Sequence, residues 1–275
     1  GNIAAWNTAS NVLPAGRTMH SSTVWNNRIY VTGGNDGSSV ASNVIYASPS
    51  LSSGGDIGSA WTSTGMTAFT TARSGHVAIA YGSQLYILGG FDGTNYLLDT
   101  QYAAIASDGT IGSWSQTEKL PQRVRQADGF ASNGFLYLFG GRSASGTCTN
   151  NTYVIPINAN GSLGYWSQTN VRFTTARYGG SVSYNGGRAY MLGGYNCTGA
   201  AFTGANSVVH ATLQFQPQIA NYSLAIDADS DVFPSMFVAN GLDNSDGARW
   251  YLNYKSATSG GSSTCGAMTT WGQNT

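Results

Sequence analysis

A chain of 275 residues is long enough for one large all-β domain or for two ordinary domains. Its formal net charge is zero and only 9% of its residues are charged, which argues against nucleic-acid binding, because that function needs a basic surface. The sequence contains no apolar stretch long enough to cross a bilayer, so we expect no membrane insertion either.

The low charge also bears on where the protein works. Because so few side chains are charged, its solubility depends mainly on Ser, Thr, Asn and Gly. Such a surface is more typical of a secreted protein than of a cytosolic enzyme, and we therefore expect an extracellular or cell-surface location. Gly1 is then either a mature terminus after processing or the edge of a fragment.

The chain opens with the hexapeptide GNIAAW and returns to the same pattern as GTIGSW at Gly109–Trp114 and GSLGYW at Gly161–Trp166. Gly-Gly pairs, arginines and tryptophans each recur at intervals of 51 to 56 residues. The markers are Gly33-Gly34, Gly89-Gly90, Gly140-Gly141 and Gly193-Gly194; Arg17, Arg73, Arg125 and Arg177; and Trp6, Trp61, Trp114 and Trp166. Three markers with one period indicate an internal repeat of four units.

Each unit predicts four short strands. The first is an alternating or small-residue run after the arginine, and it ends at a turn of Asn, Gly or Ser, residues that tolerate positive φ. The second is the nearly continuous apolar run before the Gly-Gly pair, which indicates that both of its faces are covered. The third carries residues 44–46, 100–102, 152–154 or 208–210, and a Gly-x-Ile/Leu turn then leads to the tryptophan strand.

These markers together resemble the kelch repeat: an arginine near the start, an apolar strand that ends in Gly-Gly, an aromatic residue on the third strand and tryptophan on the fourth. The resemblance covers residues 1–215, and the sequence of the turns is most similar to that of kelch-like repeats of bacterial surface proteins. It implies an all-β fold, a kelch-like β-propeller with four recognisable repeats and four or five blades.

The two ends of the chain raise the question of how the propeller closes. GNIAAW aligns with the last turn and last strand of a unit whose first three strands are absent upstream. We therefore expect the N-terminal strand to complete the final blade. The alternative is that Gly1 marks a cleavage point in a longer array. Residues 216–275 are a divergent β segment, interpreted as an aberrant fifth blade or the start of a β-sandwich; a four-blade ring closed directly on GNIAAW is the third option.

The arginines Arg17, Arg73, Arg125 and Arg177 are predicted to form a ring around the central mouth of the propeller, where the loops before the innermost strands open. Such a ring could bind a carboxylate or an acidic peptide through bidentate hydrogen bonds. The alternative, which the fourfold repetition favours, is that each arginine ties its loop to carbonyl groups of the neighbouring blade.

Unit three breaks the symmetry with a cluster of unlike charges, which are also candidate ligand-binding residues: Glu118, Arg123, Asp128 and Arg142. Glu118 and Asp128 could act as an acid/base pair only in the close arrangement of a glycosidase, which nothing in the sequence fixes. Solvated loop charges are therefore the favoured interpretation.

The sequence predicts no cofactor and no metal site. Its three histidines are dispersed, and the run Asp227-Ala-Asp229-Ser-Asp231 lacks the glycine and the glutamate that a calcium loop needs further on. Three cysteines permit one disulfide. Cys148 and Cys197 follow corresponding points of successive units, so we favour a bridge between them over free thiols.

No nucleophile with an adjacent base and no phosphate-binding loop is found in the sequence. We therefore predict a non-catalytic extracellular recognition or adhesion module that binds a glycan or protein ligand on one loop face. The first alternative is a structural subunit of a surface layer or an extracellular appendage, whose partners would be copies of itself. The second is a carbohydrate-active propeller enzyme.

Overall fold

The computed structural model describes residues 8–51, 56–169, 171–197 and 203–213, and beyond them six short strands between residues 222 and 271. The described residues are all-β: their regular elements are antiparallel strands, and none of them forms a helix. This part of the chain accordingly has no helix that could span a membrane. The chain divides into two compact units, residues 1–213 and 214–275.

The repeat of the first unit produces four antiparallel sheets, which we call blades one to four. Blade one contains β1 (Ser21–Trp25), β2 (Arg28–Thr32) and β3 (Ile45–Ala47). Blade two contains β4 (Val77–Tyr81), β5 (Gln84–Leu88), β6 (Thr100–Ile105) and β7 (Ile111–Gln116). In both blades the strands pair in chain order.

Blade three pairs in the same order and contains β8 (Asp128–Ser132), β9 (Phe135–Phe139), β10 (Thr152–Pro156) and β11 (Ser167–Gln168). The last repeat forms two sheets. A small one contains β12 (Arg177–Tyr178), β15 (Tyr195–Asn196) and β16 (Thr203–Gly204), and blade four itself contains β13 (Ser181–Asn185), β14 (Arg188–Leu192) and β17 (Val208–Thr212). The strand order predicted from the markers is thus confirmed for the first three strands of every repeat.

The turns between the first and second strands use the residues that the sequence predicted. Asn26 and Asn27 have φ angles of 44° and 59°, and Asn133 and Gly134 have φ angles of 49° and 79°. Two successive left-handed residues make the type I′ turn, whose twist matches that of the strands on either side.

The innermost strands of consecutive blades lie next to one another in the order β1, β4, β8 and β13. Side chains of one inner strand bind the backbone of the next. Ser21 Oγ accepts the N–H of Ala78 at 2.9 Å, and Thr23 Oγ1 accepts the N–H of Ala80 at 3.1 Å. The blades therefore succeed one another around a common line, as the propeller prediction requires.

Two apolar clusters fill the spaces between the first three blades. One contains Tyr30, Ile45, Phe69, Leu85 and Ile87, and the other contains Tyr86, Leu88, Leu136, Leu138 and Ile155. Strand β5 contributes to both, because successive side chains of a strand point to opposite faces. Its nearly continuous apolar run is explained by this burial on both faces.

A tyrosine in the second strand links each of the first two blades to the next. The hydroxyl of Tyr30 donates to the carbonyl oxygen of Gly109 at 3.0 Å, and that of Tyr86 donates to Gly161 at 2.8 Å. Both acceptors belong to the Gly-x-Ile/Leu turn of the following blade. The turn glycine and the tyrosine register, which were separate patterns in the sequence, thus form one contact.

The Gly-Gly pairs end the second strands where the backbone of the next blade passes. Gly33 has a φ of 52°, and a Cβ atom on it would lie 2.7 Å from the carbonyl oxygen of Arg73. Gly34 donates its N–H to that same oxygen at 2.9 Å. Only glycine fits this approach.

The second unit contains β18 (Tyr222–Ala225), β19 (Met236–Ala239), β20 (Trp250–Leu252), β21 (Lys255–Ala257), β22 (Ser263–Cys265) and β23 (Thr269–Trp271). They pair as β18 with β19, β20 with β23 and β21 with β22. GNIAAW lies outside the described residues, so closure of the ring by the N-terminal strand stays a prediction, as do the blade count and the role of residues 216–275.

Candidate ligand-binding face

Two of the predicted ring arginines are buried and serve the packing of their own blades. Arg73 has no exposed surface: its guanidinium donates to Asp99 at 2.7 and 2.9 Å and to the carbonyl oxygen of Gly89 at 2.9 Å. Arg177 is equally buried and donates to the carbonyl oxygen of Gly193 and to the hydroxyl of Ser207. A ligand cannot reach either guanidinium.

The predicted ring of four exposed arginines is therefore wrong at these two positions, because their N–H groups are used inside the protein. The alternative also needs correction in one respect. It expected bonds to the neighbouring blade, whereas the side chains of Arg73 and Arg177 bind residues of their own repeats. What reaches the preceding blade is the arginine carbonyl, which accepts the N–H of Gly34 or Gly141.

Arg17 and Arg125 lie in different surroundings from these two. Arg17 is half-buried, and its guanidinium carbon lies 5.6 Å from the ring centroid of Tyr46. In repeat three the equivalent hydrogen bond is accepted by a different residue: the N–H of Gly90 donates to the carbonyl oxygen of Val124 instead of to that of an arginine. Val124, with 3% of its surface exposed, thus occupies the buried arginine position, and Arg125 is its outward neighbour.

Arg125 belongs to a short ribbon that each repeat forms at one end of its blade, which we call the upper face. The backbone pairs of the ribbons are Thr18–Asn35–Ala41, Ser74–Phe91–Tyr96, Arg125–Arg142–Cys148 and Tyr178–Tyr195–Gly204. The backbone pattern is the same in all four, but the side chains differ. Only the second, third and fourth ribbons carry aromatic or arginine side chains.

These side chains form a continuous row, which we call the aromatic–arginine row: Phe91, Tyr96, Arg125, Arg142, Tyr178 and Tyr195. The guanidinium carbon of Arg125 lies 5.2 Å from the ring centroids of both Phe91 and Tyr96. That of Arg142 lies 5.7 Å from Tyr178. Tyr178 stacks on Tyr195 with centroids 5.6 Å apart, and Tyr195 is 49% exposed.

A cavity of about 210 Å³ lies where the four inner strands begin. Its rim is a chain of backbone hydrogen bonds from blade to blade: Gly75 N–H to Met19, Gln126 N–H to Gly75, and Gly179 N–H to Gln126. All four residues have positive φ angles, between 52° and 64°. Met19 and Gln126 adopt a left-handed backbone, which is uncommon for residues other than glycine. The hydrogen bonds from blade to blade hold this backbone conformation in place.

Asp128 lines this cavity instead of lying in solvent. It is half-buried at the start of β8, and its two carboxylate oxygens accept the N–H groups of Gly129 at 2.8 Å and Val182 at 2.7 Å. Burial raises the pKa of Asp128 above its ordinary value, although these hydrogen bonds oppose the shift. The prediction of a solvated loop charge was wrong for this residue, because its carboxylate joins two inner strands.

The other residues of the unlike-charge cluster are not drawn together around Asp128. Arg123 donates to the carbonyl oxygen of Tyr96, beside the aromatic–arginine row, and Arg142 lies within that row. Glu118 is half-exposed and precedes Leu120, which packs in the second apolar cluster. The sequence located the repeat that breaks the symmetry. The aromatic residues of the neighbouring repeats were missed, although Phe91 and Tyr195 each directly follow a Gly-Gly pair, as Arg142 does.

His76 occupies the same repeat position as His20 but lies in the core, with 4% of its surface exposed. Its Nε2 lies 2.8 Å from the Thr32 hydroxyl, and its Nδ1 has no partner among the described residues. Burial, followed by the charge of Arg73, lowers the pKa of His76 to about 3. A ring held neutral in this way serves packing. Among the described residues no group of three or more His, Cys, Asp or Glu side chains could hold a metal ion.

Cys148 and Cys197 form a disulfide, with their Cα atoms 5.5 Å apart. This is the pairing favoured from their repeat positions. Cys148 lies in the third ribbon and Cys197 follows Tyr195 and Asn196 of the fourth. The bridge therefore joins the two ribbons that carry Arg142 and Tyr195, and it fixes this part of the upper face.

Antiparallel sheets of three or four strands that succeed one another around an axis, with their loops converging on one face, define the first unit as a kelch-like β-propeller. A family model described as the Kelch motif matches residues 16–47, which include Arg17 and all three strands of blade one. The chain thus carries a kelch repeat, a motif typical of β-propeller modules that bind proteins. No curated protein matches the sequence.

Proposed function

We propose that the chain is a non-catalytic recognition module that works outside the cell and binds a protein or glycan ligand through the aromatic–arginine row. The observation that carries the proposal is the departure of this row from the repeat symmetry. Backbone, glycines and buried arginines recur because packing needs them, whereas the row occurs only in blades two to four. Aromatic and arginine side chains are the residues enriched in binding surfaces.

The extracellular location is supported by two independent properties. One is the disulfide between Cys148 and Cys197, since such bonds persist mainly in oxidising compartments. The other is a surface rich in uncharged polar residues, with 9% charged residues overall.

A structural role, as a subunit of a surface assembly, is the second candidate. It is favoured by the exposed apolar side chains of blade four, where Val208 is 58% and Leu192 is 40% exposed. Apolar surface of this kind often marks a contact with another molecule. Size-exclusion chromatography over a range of concentrations separates the two, because a recognition module stays monomeric.

The test of recognition is a screen of the purified chain against a random peptide display library and a glycan array. Any binder is then compared between the wild type, a Tyr178→Ala/Tyr195→Ala variant and a Tyr165→Ala control. Tyr165 is 82% exposed and follows Leu163 in the outer part of blade three, outside the row.

We expect the double variant to bind about tenfold more weakly, because two rings of the contact surface are removed, and the control to bind like the wild type. Equal binding by the double variant, or no binder in either library, would contradict the proposal. A carbohydrate-active enzyme would instead turn over a glycan substrate and lose that activity in Glu118→Gln.

A further inference from the structure

We propose that the aromatic–arginine row selects a ligand segment that carries a carboxylate, and that Arg125 is the residue that binds this carboxylate. The occupant would be an acidic peptide segment with a flat apolar side chain next to the acid. This inference rests on the proposed recognition function and specifies its ligand. The observation that supports it is the lack of hydrogen-bond partners for the Arg125 guanidinium among the described residues.

Arg125 has donors that nothing in the described residues uses. Its Nε is buried without a hydrogen-bond partner, and no ion pair or hydrogen bond is formed by its terminal nitrogens in this part of the chain. Arg73 and Arg177 are the internal comparison, since both bind acceptors through Nε and both terminal nitrogens. Evidently the fold can satisfy an arginine completely where packing requires it.

The rings of Phe91 and Tyr96 fix the orientation of this guanidinium. Each centroid lies 5.2 Å from its central carbon, and the two rings meet edge to face with centroids 5.3 Å apart. An arginine held on aromatic faces keeps its planar fork in one orientation. A carboxylate that accepts two parallel hydrogen bonds from the fork then loses less freedom than it would on a mobile side chain.

A second arginine lies in the same ribbon as Arg125. Arg125 and Arg142 are directly paired across the third ribbon, with mutual backbone hydrogen bonds of 3.0 and 2.9 Å. Side chains of such a pair lie on the same side of the ribbon, and like charges there repel each other. A ligand anion at the row is attracted by both charges. Charge complementarity therefore points to an anionic group at the centre of the row.

The chemistry of the row favours a peptide over a saccharide. Its members offer guanidinium donors and ring faces, with acceptors only at the tyrosine hydroxyls. The nearest carboxylate in sequence, Asp92, accepts the N–H groups of Thr94 and Asn95 in its own turn. A sugar ring presents many hydroxyl groups that need acceptors as well as donors, whereas a carboxylate and an adjacent apolar side chain need only what the row contains.

The test uses fluorescein-labelled octapeptides of alternating Glu and Tyr, Gln and Tyr, or Lys and Tyr, with binding to the whole chain measured by fluorescence anisotropy. We expect the Glu–Tyr peptide to bind at least about tenfold more tightly than the Gln–Tyr peptide, as a charge-assisted hydrogen-bond pair implies. Arg125→Gln should lose about tenfold in affinity. Arg125→Lys should lose a similar factor, because it keeps the charge but not the fork.

The matched control is Arg188→Gln, which removes the same charge from an exposed arginine. Arg188 begins β14, whereas Tyr195 of the row follows the other end of that strand. Its binding should stay within about twofold of the wild type. An equal loss in Arg188→Gln would show attraction by net charge alone and overturn the proposal. Equal affinity for the Glu–Tyr and Gln–Tyr peptides would also overturn it. This comparison uses the wild type, so it holds even if an Arg125 variant does not fold.

Two further outcomes separate this inference from the proposed function. An unlabelled oligogalacturonate that binds more tightly than the Glu–Tyr peptide would assign the anion site to acidic glycans and refute the peptide occupant. A neutral ligand from the library screen, lost in Tyr178→Ala/Tyr195→Ala but not in Arg125→Gln, would refute the role of Arg125 and leave recognition by the row intact.

Discussion

Replacing Asp99 with Asn should cost about 3 kcal/mol of unfolding free energy at pH 7, because it leaves a buried guanidinium without its counter-charge. Arg73 has no exposed surface, and its shortest contact with Asp99 is 2.7 Å. The loss lies at the low end for a broken buried pair. Arg73 keeps its bonds to the carbonyl oxygens of Thr71 and Gly89, and the Asn oxygen can still accept one hydrogen bond.

The Arg73–Asp99 pair also predicts how the free energy of unfolding depends on pH. Burial tends to raise the pKa of Asp99, but the hydrogen bond and charge of Arg73 lower it more, so the folded pKa lies below the ordinary value. A lowered carboxyl pKa adds stability above the unfolded pKa of about 3.9, and the protein loses it as the pH falls through the folded pKa. The difference in unfolding free energy between wild type and Asp99→Asn should thus be constant from pH 7 to about pH 5 and should shrink below about pH 4.

Urea unfolding followed by tryptophan fluorescence measures both quantities. Ser207→Ala is the matched control, since Ser207 is the neutral acceptor that Arg177 uses at the corresponding position, and its loss should cost only about 1 kcal/mol. The reasoning fails if Asp99→Asn costs no more than this control, or if its cost is the same at pH 3 as at pH 7.

Three further outcomes follow from buried groups. Tyr86→Phe should lose about 1 kcal/mol in urea unfolding, since it removes the hydroxyl bonded to Gly161, and an unchanged midpoint would contradict that bond. Cys148→Ser with Cys197→Ser should lose about 4 kcal/mol in thermal or urea unfolding, and reductant should then have no further effect on the variant. His76 has a folded pKa of about 3, so the unfolded chain alone takes up its proton below about pH 6.5 and wild-type stability falls with acidification. His76→Gln should lose that part of the slope, and an identical slope would refute the assignment.

The strands and turns could be predicted from the sequence because each depends on local chemistry. Asn26-Asn27 and Asn133-Gly134 tolerate left-handed backbone, and the apolar runs before the Gly-Gly pairs fit strands that are buried on both faces. Repetition then supplied the order of the strands, since one correct assignment applies to every unit. The role of residues 216–275 did not follow in this way, because that segment has no repeat to compare with.

The candidate site could be predicted only in part, because it depends on which way a side chain points. The sequence indicated that repeat three is exceptional, and Arg125 and Arg142 are in the row. It did not indicate Phe91, Tyr96, Tyr178 or Tyr195. Phe91 and Tyr195 each directly follow a Gly-Gly pair, but their place beside the arginines becomes clear only when the ribbons are paired. Nor did it separate Asp128, which two backbone N–H groups hold at the inner strands, from exposed loop charges.

The distinct position of Arg125 follows from a difference of one residue. In repeats two and four the arginine itself supplies the carbonyl that holds the preceding Gly-Gly pair, and its side chain turns into the blade. In repeat three Val124 supplies that carbonyl, so the arginine falls on the next residue, at the ribbon position of Ser74 and Tyr178. Because neighbouring residues of an extended chain point to opposite sides, this shift moves a charge from the core to the upper face. The same residue type therefore serves packing in two blades and remains available for binding in the blade between them.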